Sequence, residues 1–400
     1  MHASSIPVLK AGVGASTEKA TFQAATIAAR LAMDRAGIAQ ADFALVFATI
    51  PHAALYTRML ERIAEVTRTR HIVGCSAMGI VSSDGEVEDE PAIAVLALAS
   101  DTLTTTPFLV RSLRQQGGLA PKRMAHMLPP LRTPQDFLML LPDTLTFQPG
   151  PFLKSLAQSW PSTPAVGGGA SENGSQMHTY QWCGTEVLSD SISGALFSGQ
   201  LTRAIGHTIA CHPIGEPMLV TRAEGNVVFE LAGRPAYEVF TGLAQEWAIP
   251  DLRTAASLFF LGFPCDPACT QLTSGEYFVR NIHGIDPHDG SLLVGAAVRE
   301  GQVLSFTVRD PQHARDDMET MVGDLAKVWA GQQSPRFGMY FNCCGRGTSL
   351  YGHPNVDLDI IRSYFGDLPL IGFFTYAEIG PTSAGQCLHN YTGVLTLVGE

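Results

Sequence analysis

The chain has 400 residues, 46% hydrophobic and 16% charged, with 39 glycines. That exceeds one core of ordinary size, since domains cluster at about 100 to 200 residues, so two lobes without long disordered tails are expected. A formal net charge of −11 argues against nucleic acid as a partner, because phosphate contacts need clustered Lys and Arg. The longest apolar runs, Ala92 to Ala99 and Leu292 to Val298, fall far short of the roughly 18 to 20 residues that cross a bilayer, so no membrane span is expected. The N-terminal stretch lacks a signal-peptide apolar region. Eight cysteines in a chain with ample core material read as free thiols in a reducing compartment, and the expected location is cytoplasmic.

In chain order, Ser16 to Gly37 carries Ala24, Ile27, Ala28 and Leu31 on one helical face and ends at a glycine, which predicts an amphipathic helix. Phe43 to Ile50 reads as a buried strand, His52 to Thr67 as a helix and His71 to Cys75 as a second strand. A strand is expected at Ala92 to Ala99, a helix near Pro107 to Gln115 and a strand at Phe137 to Leu141. The acidic run Glu86 to Glu90 reads as a solvated loop. Gly167-Gly168-Gly169 reads as a tight turn. It lacks the Lys-Ser/Thr of a phosphate loop and is soon followed by Glu172. Antiparallel strands are expected at Met177 to Cys183 and Ile192 to Leu201.

The second half opens with a helix at Arg234 to Ile249, followed by strands at Glu276 to Ile282, Ser291 to Val298 and Gln302 to Arg309. Asp310-Pro311 supplies an N-cap oxygen and a first-turn proline for a helix reaching Ala330. Phe43 to Ser76, strand-helix-strand, is echoed by Phe337 to Phe374, so an internal pseudo-duplication is expected. The fold class is α/β: two related lobes with mixed β-sheets covered by helices, divided as residues 1–228 and 229–400.

Several short motifs recur in a recognisable order: Gly74-Cys75-Ser76-Ala77-Met78-Gly79, Gly167-Gly168-Gly169-Ala170, Cys211-His212-Pro213-Ile214-Gly215, Phe341-Asn342-Cys343-Cys344-Gly345-Arg346-Gly347 and Glu378-Ile379-Gly380-Pro381. Across nearly the whole chain this pattern resembles the FIST family, an N-terminal FIST domain followed by a C-terminal one. The resemblance implies a sensory domain that binds small ligands such as amino acids, commonly fused to a signalling output, and in a eukaryotic branch to an F-box. Here no output segment is recognised, so a protein partner is expected to carry the signal. Ala377 stands where the family pattern favours glycine, and its β-carbon would narrow the approach to Glu378.

Residue chemistry adds candidates for the ligand site. Arg346, in a glycine-flanked turn after a strand, suits a bidentate carboxylate contact, and Glu378, after the neighbouring strand, suits an ammonium. Together they would hold a zwitterion in a crevice lined also by Asn342, Cys343, Gly347, Cys75 and Ser76. The competing reading pairs Arg346 with a structural carboxylate or with Glu378 itself. A thiol-dependent enzyme using Cys343 or Cys75 is the alternative function, yet neither has a neighbouring base. His71 lies roughly 13 Å upstream of Cys75 along a strand. An interaction scaffold without ligand is a third. Cys265 and Cys269, spaced C-x3-C before His283 and His288, match no standard zinc spacing, so neither metal nor cofactor is expected.

Overall fold

The computed structural model describes residues 9–273, 275–331 and 333–400, which form a mixed α/β structure of four sheets with helices packed on them. Three sheets are built by one rule. In the first, β1 (Lys10–Ser16) leads through α1 (Thr21–Ala36) to β2 (Phe43–Thr49), and α2 (Tyr56–Thr67) leads on to β3 (Ile72–Ala77). A hairpin of β4 (Gly79–Ser82) and β5 (Gly85–Glu88) follows, and β6 (Ile93–Ala99) closes the unit. The order is β1-β6-β2-β3, with β2 and β3 parallel and the other pairs antiparallel.

The second unit repeats the plan with β7 (Leu103–Arg111), α3 (Leu113–Gln116), α4 (Ala120–Met127), β8 (Phe137–Pro142), α5 (Pro149–Ser159) and β9 (Ala165–Gly168). Its hairpin is β10 (Gln181–Cys183) with β11 (Glu186–Leu188), and it ends at β12 (Ser191–Gly199) in the order β7-β12-β8-β9.

The third unit opens with β13 (Thr202–Ile209) and is interrupted by a separate lobe. That insertion comprises β14 (Cys211–Glu224), β15 (Val227–Leu231), β16 (Arg234–Pro235), α6 (Ala236–Glu246), α7 (Leu252–Leu258), β17 (Phe259–Pro264), β18 (Tyr277–Asp286), β19 (Ser291–Val294) and β20 (Val303–Arg309), whose strands form a seven-stranded sheet. The expected division at residue 228 falls within β15. The unit resumes with α8 (Pro311–Trp329), β21 (Phe337–Cys343), α9 (Gly347–Tyr351), α10 (Val356–Phe365) and β22 (Leu370–Thr375). It closes with the hairpin β23 (Glu378–Thr382) and β24 (Gly385–His389) and with β25 (Thr392–Gly399), in the order β13-β25-β21-β22. Asp310 caps α8, its carboxylate accepting from the His313 amide at 2.6 Å ahead of Pro311.

Every hairpin leaves its own sheet and extends another: β4-β5 adds beside β22, β10-β11 beside β3, and β23-β24 beside β9. The exchange closes a ring among the three units. The repetition between Phe43–Ser76 and Phe337–Phe374 is therefore present, and the second unit is a further copy. Gly74, Gly167 and Gly372 share one register, opposite Val46, Leu140 and Tyr340 in the three parallel pairs. A Cβ at any of them would lie 1.7, 2.0 or 1.8 Å from the facing carbonyl oxygen, which accounts for the recurring Ile-Val-Gly, Ala-Val-Gly and Leu-Ile-Gly.

Strand alternation sorts the residues into one inner and three outer layers. Phe47, Met139 and Phe341 face a core shared by the three sheets, with Phe47 and Phe373 rings 4.5 Å apart. Their neighbours Val46, Leu140 and Tyr340 face outward onto α1 and α2, α4 and α5, and α8 and α10.

Three expectations change. Gly167 and Gly168 end the buried strand β9, paired with β8 and β23, and are not a tight turn. The segment near Pro107 is β7 up to Arg111, not helix; it is an edge strand, where proline's missing N–H costs no ladder bond. The acidic run is not a solvated loop through its length. Glu86 and Glu88 lie on partly buried β5 and accept from the Asn355 amide at 2.5 Å and the Thr348 amide at 2.9 Å.

Candidate functional site

Asn342 and Cys343 end β21, and Arg346 and Gly347 form the turn into α9. Arg346 is fully buried and pairs with Asp357 of α10, Nε to Oδ2 at 2.9 Å and Nη2 to Oδ1 at 2.8 Å. Tyr340 and Tyr351 hydroxyls donate to the same carboxylate at 2.8 Å, and Asn342 Nδ2 donates at 3.2 Å. Burial alone would raise the Asp357 carboxyl, but the guanidinium and these donors outweigh it and hold it below its ordinary range.

Glu378, at the start of β23, accepts from the Thr375 hydroxyl and from the Thr392 amide at 3.3 Å, with Cys343 alongside. Burial, then Cys343, push its carboxyl well above the usual range, which disfavours the charge an ammonium would need. Arg346 and Glu378 thus bond to separate partners, and Arg346 Nη1 is buried without one. Gly347, at φ +54°, packs where a Cβ would meet Phe374 and Glu88.

Cys343 Sγ accepts from the Tyr391 amide at 3.2 Å and the Gly345 amide at 3.4 Å. A hydrogen bond with Cys344 and burial raise its thiol, and burial raises that of Cys75. Ser76 Oγ donates to the Ser171 carbonyl at 3.1 Å and accepts from the Tyr180 amide at 3.0 Å, while the Ser171 hydroxyl donates to the Phe374 carbonyl. These contacts stitch the three units together at the strand ends.

A solvent-reachable cleft of about 340 Å³ lies between the first and third units. Arg35, in the last turn of α1, places Nη1 and Nη2 on Asp84 Oδ2 and Oδ1, each at 2.8 Å, and Nη1 also reaches the Val13 carbonyl at 2.8 Å. Leu358, Ile361 and Arg362 come from one face of α10, at i, i+3 and i+4. Arg362 donates to the Ser83 carbonyl at 2.6 Å and to Asp359 at 3.1 Å. Val13, Leu368 and Leu370 add apolar walls, and Asp367 adds a second carboxylate. The Arg35 and Arg362 side chains remain 41% and 37% exposed, open enough to meet a ligand.

The helix behind this cleft is fixed by the predicted residues. Arg346 and Asn342 hold Asp357 near the start of α10, and Asn355, just ahead of it, accepts from the Glu86 amide at 2.8 Å. None of Arg35, Asp84, Arg362 or Asp367 belongs to a motif in the sequence. They meet only because the β4-β5 turn is carried across to the third unit.

Repeated α/β units that exchange hairpins around a common core, with a charged cleft between two of them, define a concatenated α/β protein. The chain belongs to the FIST family: residues 42–234 match the FIST N domain and residues 236–381 the FIST C domain. FIST domains are sensory, signal-transduction domains that bind small ligands. An uncharacterized protein of Mycobacterium tuberculosis is 30% identical over 389 residues, 97% of this chain and 99% of that protein. F-box only protein 22 of Pongo abelii is 27% identical over 128 residues, 28% of this chain and 32% of its own. Among solved structures, a cyanuric acid hydrolase has 10% identity and a TM-score of 0.34 over 98% of this chain and 99% of its own, and a chorismatase 7% and 0.35 over 99% of each. No described helix is long and apolar enough to cross a membrane.

Proposed function

We propose that this chain is a ligand-sensing module that takes up an amino acid or related small carboxylate in the cleft between α1 and α10, and passes the signal to a protein partner in the cytoplasm. One observation carries the reading: two part-exposed guanidiniums, Arg35 and Arg362, share with Asp84 and Asp367 a cleft of about 340 Å³ that has apolar walls. That volume falls in the ordinary range for small-ligand sites. Guanidiniums suit a carboxylate in two-point contact, the aspartates suit an ammonium, and the apolar walls suit a side chain. On this reading Asn342, Arg346 and Gly347 shape the site by seating α9 and α10, and Glu378, Cys75 and Ser76 support the strand ends. The raised Cys343 and Cys75 thiols favour binding over thiol catalysis.

A thermal-shift and calorimetric screen of amino acids and small mono- and dicarboxylates tests the proposal. Ligand at 100 times its Kd adds about 2.7 kcal/mol of stability. The response should fall sharply in Arg35→Gln and Arg362→Gln. Silence across the panel, or binding that both variants retain, would sink it.

A further inference from the structure

Cys265 follows β17 of the inserted lobe and Cys387 lies on β24, an edge strand of the second unit's sheet, yet their sulfurs are 3.9 Å apart. The surrounding contacts bind lobe to hairpin. Glu276 accepts from the Ser383 hydroxyl at 2.6 Å, and half-buried Arg280 donates to the Leu388 carbonyl at 2.9 Å and to Asn390 Oδ1 at 3.0 Å. Neither sulfur is sealed in the core: both residues are partly exposed, and Cys265 opens onto a cleft of about 450 Å³ with Pro264, Pro267 and Phe278.

We infer that Cys265 and Cys387 are a redox-active dithiol whose oxidation by a low-molecular-weight disulfide locks the inserted lobe to the β23-β24 hairpin. Closing the bond brings the sulfurs together by about 2 Å, within reach of side-chain rotation and a small strand shift. In the first step Cys387 loses its proton and attacks one sulfur of the external disulfide, forming a mixed disulfide. The expelled thiolate takes up that proton and leaves as a thiol. Cys265 then attacks the Cys387 sulfur, the second small thiolate departs with the Cys265 proton, and the protein disulfide remains. Two protein thiols are oxidised and one disulfide is reduced to two thiols.

Chemistry at Cys387 favours the first step. The Cys265 thiol donates to its sulfur and lowers its pKa, and the Arg280 charge lowers it further, while the same hydrogen bond raises that of Cys265. Cys387 therefore ionises first.

The test treats the reduced full chain with oxidised glutathione and maps disulfides by peptide mass without reduction. Exposed Cys269 reports that the reagent is active. A Cys265–Cys387 linked peptide, lighter by two hydrogens than the separate pair, is expected, together with a rise in Tm that dithiothreitol reverses. Cys265→Ser should stop at a glutathione adduct on Cys387, and Cys387→Ser should form no link. Absence of the linked peptide while Cys269 is glutathionylated, or Cys265 paired with Cys269 instead, overturns the inference.

Discussion

Arg362 of the third unit and Ser83 of the first are joined by a 2.6 Å hydrogen bond, guanidinium Nη2 to carbonyl oxygen. A side chain late in the sequence thus grips a hairpin turn made early in it, at the mouth of the proposed ligand cleft. Loosening that grip should act on binding first.

Arg362→Gln keeps a polar side chain but shortens it and removes its charge. It should weaken carboxylate binding by about 1.5–3 kcal/mol, the range for a hydrogen bond to a charged partner, with a smaller change in Tm. Isothermal calorimetry on wild type and variant reads the first quantity, and thermal unfolding without ligand reads the second.

Asp357→Ala leaves the buried Arg346 guanidinium without its carboxylate. A loss of about 3–5 kcal/mol is expected, measured by urea unfolding. The apolar pair Arg346→Met with Asp357→Leu should recover much of that loss, because no charge is then stranded. Equal damage from the single and double variants would contradict this account.

Glu86 gives the protein a pH dependence of definite sign. Burial, then Asp357, raise its carboxyl from 4.5 to about 7, although its bond from the Asn355 amide pulls the other way. Through that window the folded chain keeps a proton that the unfolded chain has released, so stability falls as pH rises and levels off above it. Against wild type, Glu86→Gln should gain Tm progressively as the pH is raised from 5 to about 7.5. A constant difference between the two proteins would remove Glu86 as the cause.

Gly372→Ala places a Cβ 1.8 Å from the Tyr340 carbonyl oxygen, a contact only backbone movement relieves. More than about 3 kcal/mol of destabilisation is expected. Gly167→Ala should behave alike, whereas Gly37→Ala, in left-handed helical backbone with open space around its Cβ, should cost about 1 kcal/mol. Parallel denaturant curves check the ranking.

Much of the strand and helix pattern was legible because period and capping are local signals. Asp310-Pro311 marked a helix start, and the apolar runs at Phe43 and Phe337 marked buried strands. The repeat between those runs was readable too, but Gly167-Gly168-Gly169 reads as a turn, which hides the second unit's copy of the strand. Thr104 to Thr106 carried a strand signal, but Pro107 obscured it, since edge position is a property of the sheet and not of the segment. Arg346 and Asn342 stood out in a motif, and their pairing with Asp357 is one of the readings the residues left open. Arg35, Asp84 and Arg362 had no such mark, because a cleft formed by exchanged hairpins is written in no contiguous stretch.

Hairpin exchange also bears on how the molecule must be made and cut. The sheet containing β22 takes its outer strands from residues 79–88, and the sheet containing β9 takes its own from residues 378–389. Severing the chain between its FIST N and FIST C halves would leave each with a raw, adhesive sheet edge where the other half's hairpin belongs. The halves should precipitate when produced apart and associate when co-expressed, so the three-sheet body melts as a single cooperative unit.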